Sequence, residues 1–326
     1  MRTDLAELTA REPRQVKNRR RWRFGDRTFS GMTLFFALLI LVILAGLIIT
    51  LNIDAMPAIR KFGLGFITGS AWNAVTEEFG ALPAIYGTLL SSAIGLLISV
   101  PVSIGAAIYL VELAPRWIKG PGAFLIEMLA AIPSVIIGLW GLFVLAPFIG
   151  DPVEKWLAEY LGFIPLFQGQ IFGGLGFLSA GVILAIMTIP IITAVSRDAI
   201  SAVPVQQREA MLALGATRWE MIWRTVLPYC RSGLVGAVIL GLGRALGETM
   251  AVTMVIGNKY ALTPSLFSPG STIASKIAGE FGEASGNVFT ASLVELALVL
   301  FGVTLLVNVV ARVLVWRMTA IKARRD

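Results

Sequence analysis

Arg244 and Glu248 stand four residues apart in an otherwise apolar run, GRALGETMAVTMVIGN, at residues 243–258. In a helix that spacing puts both side chains on one face, where they can pair. Arg244 falls roughly 12 residues into the apolar run 232–257, or about 18 Å at 1.5 Å per residue. If the run crosses a bilayer, that depth is near the midplane. Each charge there costs on the order of 3 kcal/mol, and such groups face a bundle interior or an aqueous path. Two uses fit: an ion pair that holds helices in register, or a charged element that lines or gates an anion route. A guanidinium presents parallel donors to a tetrahedral oxyanion. Glu248 would keep the empty site from holding the anion too tightly, and Thr249 adds a hydroxyl beside it. Bond chemistry has no support. The chain has no histidine and one cysteine, Cys230, which reads as a small apolar filler. No nucleophile–base or metal-ligand set is evident. No Gly-Lys-Ser or Gly-Lys-Thr occurs, so there is no phosphate-cradling P-loop.

The rest of the chain must place that pair in a membrane. Of 326 residues, 56% are hydrophobic, and the mean hydropathy is +0.81. A soluble domain of this size has no use for so much apolar surface. A helix needs roughly 20 apolar residues to cross a hydrocarbon core. Six runs are long enough: about 31–51, 84–110, 122–149, 173–195, 232–257 and 292–316. Their length predicts helices and excludes the short alternating strands of a barrel. Of the 27 Lys and Arg, nine precede residue 28, two lie at 114–121, five at 196–231 and five from residue 312 onward. These four places share one side of a six-span chain. The positive-inside rule therefore puts both termini in the cytoplasm. The net charge of +7 belongs to this asymmetry and predicts no nucleic-acid partner.

The expected organisation is a basic cytoplasmic segment at 1–30, lying on anionic lipid. A first transmembrane helix and outer loop follow at 31–83, then a core at 84–318 and a cytoplasmic tail at 319–326. The first run lacks a small-residue cleavage site and is expected to stay as a span. Pro101, Pro133 and Pro190 sit inside spans, as kinks or as hinges. Gly233, Gly236, Gly241, Gly243 and Gly247 are expected to let helices approach closely. Glu127, near the inner side, is expected to reach headgroups. Glu295, near the outer end, is expected to be solvated.

One cytoplasmic connection, 196–231, is too structured to be a plain loop. Its stretch REAMLALGATRWEMIWRTVLP covers residues 208–228. Gly215 can take the left-handed cap conformation and Thr217 can cap a second helix. Trp219, Ile222, Trp223 and Val226 fall at helical spacing on one face. Glu220 and Arg224 can pair on the other side, and Pro228 is expected to start the next span. The apolar face needs a cover. An interfacial helix on lipid and a docking element for another protein both satisfy that.

A resemblance chooses between them. Glu209-Ala210, then Leu214-Gly215-Ala216, then Leu227-Pro228 resembles the EAA loop of ABC-importer permeases. Gly-Glu-Thr-Met-Ala-Val at 247–252 is similar to the PstC-type permeases of phosphate importers, not to their PstA-type partners. Leu129-Ala-Ala-Ile-Pro-Ser134, Met187-Thr-Ile-Pro190 and residues 196–204 agree, and the resemblance covers about 80–320. It implies an all-α, MetI-like type I importer permease in a bacterial inner membrane, with six transmembrane helices and both termini cytoplasmic. It implies a PstA-type second permease, two PstB-type ATPase subunits that hold ATP and Mg, and an extracytoplasmic PstS-type phosphate-binding protein. No cofactor belongs to this chain. Glu209, Ala210, Leu214, Gly215 and Ala216 would couple to the ATPase. Arg244, Glu248, Thr249 and Ser134 would form the pathway, with Ser134 also placed to bond a carbonyl freed by Pro133. Rival readings are a permease for another oxyanion, sulfate or molybdate, and a secondary anion carrier. The EAA-like loop and the absence of an evident inverted repeat speak against the carrier.

Overall fold

The computed structural model describes the backbone of residues 19–322 and the side chains of residues 27–313. Most of the expected basic segment (residues 1–18) and the end of the tail (323–326) lie outside the described residues. Six helices are long and apolar enough to cross a membrane. The chain divides into two units between Ile53 and Asp54.

Helix α1, Arg19–Phe62, supplies the first span. No residue of its most apolar stretch is buried within this chain. A helix that is apolar all round and unburied belongs in lipid or against another membrane protein.

The second unit is built on two helices. Helix α2, Leu82–Ile108, continues through a wider π turn, Tyr109–Leu113. It packs along α5, Phe177–Ser201. Two glycines make the approach possible. A Cβ on Gly181 would lie 2.4 Å from Ile94, and one on Gly95 would lie 2.9 Å from the Leu184 Cβ. Small hydroxyl residues, Thr88, Ser91, Ser92, Ser99 and Ser103, are buried on α2. Ser103 Oγ donates across to the Ile189 carbonyl at 3.2 Å, beside Pro190. Such small-residue seams are how membrane helices approach closely.

The third span differs from expectation. Helix α3, Arg116–Ala130, is separate, amphipathic and without a buried residue. Proline disfavours the α conformation of the residue before it, here Ile132. The chain breaks there, and Pro133 starts a new helix in place of kinking an old one. The span is α4, Ser134–Leu161. The fifth span is also displaced. It is one continuous helix, α7, Arg218–Gly247, which widens into a π turn at Ile222–Val226. Pro228 therefore lies within it and does not begin it. Glu248 is extended, with ψ 128°, and a short helix α8, Met250–Val255, follows. The last span is the first part of α10, Asn287–Lys322.

At the side away from the basic loops, a hairpin of β1 (Trp72–Asn73) and β2 (Glu78–Phe79) meets α9, Ile273–Glu280. Lys276 pairs with Glu280 at 2.5 Å and lies over the rings of Trp72 and Tyr260. Glu295 is buried, with Oε2 unpartnered, and is not solvated as expected. Glu127 accepts from Arg197 at 2.9 Å.

The Gly181 contact makes a prediction. Overpacking costs about 1–3 kcal/mol, so Gly181→Ala lowers the melting temperature of the detergent-solubilised chain. Gly105→Ala, where nothing lies within 4 Å, leaves it unchanged or raises it. Equal melting of the two variants contradicts a tight α2–α5 contact.

Candidate transport and coupling sites

The connection after α5 folds as the residues dictate. Helix α6, Val205–Ala213, ends where Gly215 takes φ 85°. The Ala216 N–H reaches the Met211 carbonyl at 3.2 Å and the Gly215 N–H reaches Leu212 at 3.0 Å. Together these form a Schellman end, which positive φ at glycine permits. Two residues on, Thr217 and Glu220 cap α7 reciprocally. The Glu220 N–H donates to Thr217 Oγ1 at 3.3 Å and the Thr217 N–H donates to Glu220 Oε2 at 2.9 Å. Glu220 is thus a capping residue; no ion pair with Arg224 forms among the described residues.

The expected single apolar face is divided lengthwise. Met221, Ile222 and Val226 are buried against Ala107, Ile200 and Val203. Trp219 and Trp223 point out, 63% and 55% exposed, edge to face at 5.5 Å. Leu214 is 84% exposed. Glu209, Ala210 and Gly215 are exposed and Ala216 is half-buried. The inner half of the face anchors α7, and the outer half stays available.

Arg208 fixes the segment to the core. Its guanidinium donates to Glu112 Oε1 at 3.0 Å and to the carbonyls of Val203 at 2.6 Å and Ile200 at 2.8 Å. The ion pair is nearly enclosed. These bonds add donors at the end of α5, where the regular helical bonds run out, so one arginine ties α6 to both α2 and α5. Sequence reasoning missed this pair. Its partner lies 96 residues away, and no local spacing signals it.

The pair in the fifth span is present, at the edge of contact. Arg244 and Glu248 are 3.9 Å apart, Arg244 partly exposed and Glu248 buried. Because the helix ends at Gly247, Glu248 turns away from the helical face. Its Oε1 accepts weakly from the Ala251 N–H at 3.5 Å. Arg244 borders a cavity of about 1140 Å³ between α7 and α10, with Ser232, Gly236 and Gly243 on one wall and Asn308 and Arg312 on the other. Here the glycines differ from expectation. Gly233 and Gly241 are tightly packed, against Ala199 and Ile192. A Cβ on Gly236, Gly243 or Gly247 would meet nothing within 4 Å. Those three leave space and do not close a contact within this chain. Thr249 donates to the Gly247 carbonyl at 3.2 Å. Ser134 sits half-buried at the start of α4. Glu248, Thr249 and Ser134 do not border the cavity. No group of acidic, histidine or cysteine side chains that could hold a metal occurs among the described residues.

With this geometry in place, similarity to known proteins is informative. Residues 99–320 match the family of binding-protein-dependent transport system inner membrane components. The phosphate transport system permease protein PstC of Mesorhizobium japonicum is 46% identical over 92% of this chain and 93% of its own length. That of Pasteurella multocida is 44% identical over 98% and 100%. The chain belongs to the PstC family of transport permeases. A crystal structure of a bacterial ABC transporter involved in the import of the acidic polysaccharide alginate has a chain with the same fold. Its TM-score is 0.53 at 20% identity, over 90% of this chain and 98% of that one. PstC-family membership and six apolar helices make this a multi-pass membrane permease.

The Arg208–Glu112 pair can be tested directly. Removing one partner of a buried pair costs about 3–5 kcal/mol, so Arg208→Met sharply destabilises the chain to heat in detergent. Adding Glu112→Gln to it recovers part of the loss. A double variant as unstable as the sum of the singles shows that the two side chains do not interact.

Proposed function

We propose that this chain is one of two membrane subunits of an ATP-driven phosphate importer, set in a bacterial cytoplasmic membrane with its basic side inward. The observation that carries the reading is the 44–46% identity to PstC proteins over nearly the full chain. A sulfate or molybdate permease is not favoured by those relatives. The pathway would form where a PstA-type second permease closes the open side of the α7–α10 cavity. A PstS-type binding protein would deliver phosphate to the outer face.

Arg244 is the transport element of this reading. Phosphate is expensive to desolvate, and the guanidinium replaces part of its water with charge-assisted donors. Glu248 holds Arg244 when the site is empty and opposes a second negative charge, so the anion is bound and then let go. Ser134 and Thr249 sit on the elements around Glu248, outside the cavity, and would extend the route beyond it. Coupling belongs to Glu209, Ala210, Leu214, Gly215 and Ala216. In this reading they seat in a groove of a PstB-type ATPase that holds ATP and Mg, and Leu214, Trp219 and Trp223 supply the apolar surface. Arg208 hands the movement to α2 and α5, and α7 carries it to Arg244.

The test is labelled-phosphate uptake at low external phosphate, in cells lacking the chain and then supplied with it, with excess sulfate present. Restored uptake that resists sulfate and collapses on ATP depletion is the expected result. Arg244→Gln lowers it at least about tenfold, the effect of one charge-assisted hydrogen bond. Glu248→Gln slows release and accumulates bound anion. Sulfate uptake in place of phosphate overturns the substrate. Transport that follows the membrane potential without ATP overturns the coupling.

A further inference from the structure

The cavity bordered by Arg244 contains a second cation that the reading above does not use. Arg312 and Asn308 stand one helical turn apart on α10, and both border the cavity. Helices α7 and α10 run in opposite directions across the membrane. The first enters from the basic side and the second returns to it. Ser232 and Arg312 therefore mark the basic-side mouth, and Arg244 marks the deep end. The separation along α7 is 12 residues, Ser232 to Arg244, or about 18 Å at 1.5 Å per residue. Between these ends the lining is apolar, with Ile191, Leu240 and Val309 among it. Arg312 is exposed and has no hydrogen bond or ion pair among the described residues. Asn308 Nδ2 donates to the Thr304 carbonyl at 2.9 Å, which uses one of its two amide hydrogens and leaves the other free.

We propose that Arg312, with Asn308, forms an inner oxyanion-binding site that takes phosphate from Arg244 and releases it to the basic side. The proposal rests on Arg244 as the anion element. An anion held by one cation at the end of an apolar passage leaves slowly. A second cation at the mouth lowers the energy of an anion along the passage and competes with the first. Sites in series, each weak enough to leave, are the general solution for conduction. Arg312 forks like Arg244 and presents paired donors, and the free Asn308 hydrogen adds a neutral one. A lipid phosphate offers the same chemistry, and arginines near helix ends do reach headgroups. The shared cavity favours the anion in transit.

The experiment uses the assembled transporter in sealed vesicles with ATP inside, and measures labelled-phosphate uptake with and without unlabelled phosphate inside. Arg312→Gln is expected to lower the maximal rate about tenfold, as for the loss of one charge-assisted hydrogen bond. The external phosphate that gives half-maximal rate stays unchanged. Internal phosphate inhibits the wild-type protein and no longer inhibits Arg312→Gln. Arg312→Lys keeps the charge and restores most of the rate and the inhibition. A slow Arg312→Gln that internal phosphate still inhibits as in wild type assigns Arg312 to lipid or to packing and overturns the proposal. Uptake lost in Arg244→Gln but unchanged in Arg312→Gln overturns the inner site alone. Uptake unchanged in both variants overturns both readings.

Discussion

The structure depends on one unbroken helix. Arg218–Gly247 begins at the cap built by Thr217 and Glu220 and ends beside Arg244. From Trp219 to Arg244 is about 38 Å at 1.5 Å per residue. Breaking that helix would separate the exposed tryptophans from the cavity. Continuity is not automatic, because Pro228 lies in it and proline in a helix removes a hydrogen bond. The π turn at Ile222–Val226, just before Pro228, takes up that defect, and the burial of Ile222 and Val226 holds it in place. In the proposed function, a helix so anchored carries a force from outside the membrane to near its midplane.

The second constraint is that charges within the protein need partners. Where the chain must hold basic groups near its membrane core, it pairs them: Arg208 with Glu112, and Arg197 with Glu127 and Asp198. Arg208–Glu112 and Arg197–Glu127 join elements distant in sequence, 96 and 70 residues apart, whereas Asp198 is the immediate neighbour of Arg197. Arg244 is different. Its partner is at 3.9 Å and it borders open space. A loosely held arginine beside a cavity can exchange its carboxylate for another anion, whereas one bound as Arg208 is cannot. In the proposed function this contrast is the reason transport is given to Arg244 and not to Arg208.

Much of this was legible in the residues. Run length gave the number of spans, and the placement of Lys and Arg gave a side. Gly215 and Thr217 mark a helix break, and the structure builds it from a left-handed Gly215 and a Thr217 cap. The errors share a cause. Apolar runs do not reveal where a helix stops inside them. Pro133 reads in the sequence as a kink or a hinge inside a span, and the restriction on Ile132 makes it a start. Glu248 was placed on a helical face, and the backbone turns extended there. The glycines of α7 were read alike, yet Gly233 and Gly241 pack while Gly236 and Gly243 do not, because only the neighbours decide. Arg208 was unreadable, since its role is set by Glu112 across the fold.

The proposed function requires the α7–α10 cavity to open to the basic side at rest and to close when the partner ATPase binds ATP. The direct measurement places a cysteine at Leu240 in a chain carrying Cys230→Ala. Its reaction with a membrane-impermeant thiol reagent is then followed from each face of the assembled transporter. The account predicts rapid labelling from the basic side without nucleotide, and strong protection when the partner ATPase is trapped with ATP. Labelling from the opposite face at rest, or a rate that ATP trapping leaves unchanged, would contradict it.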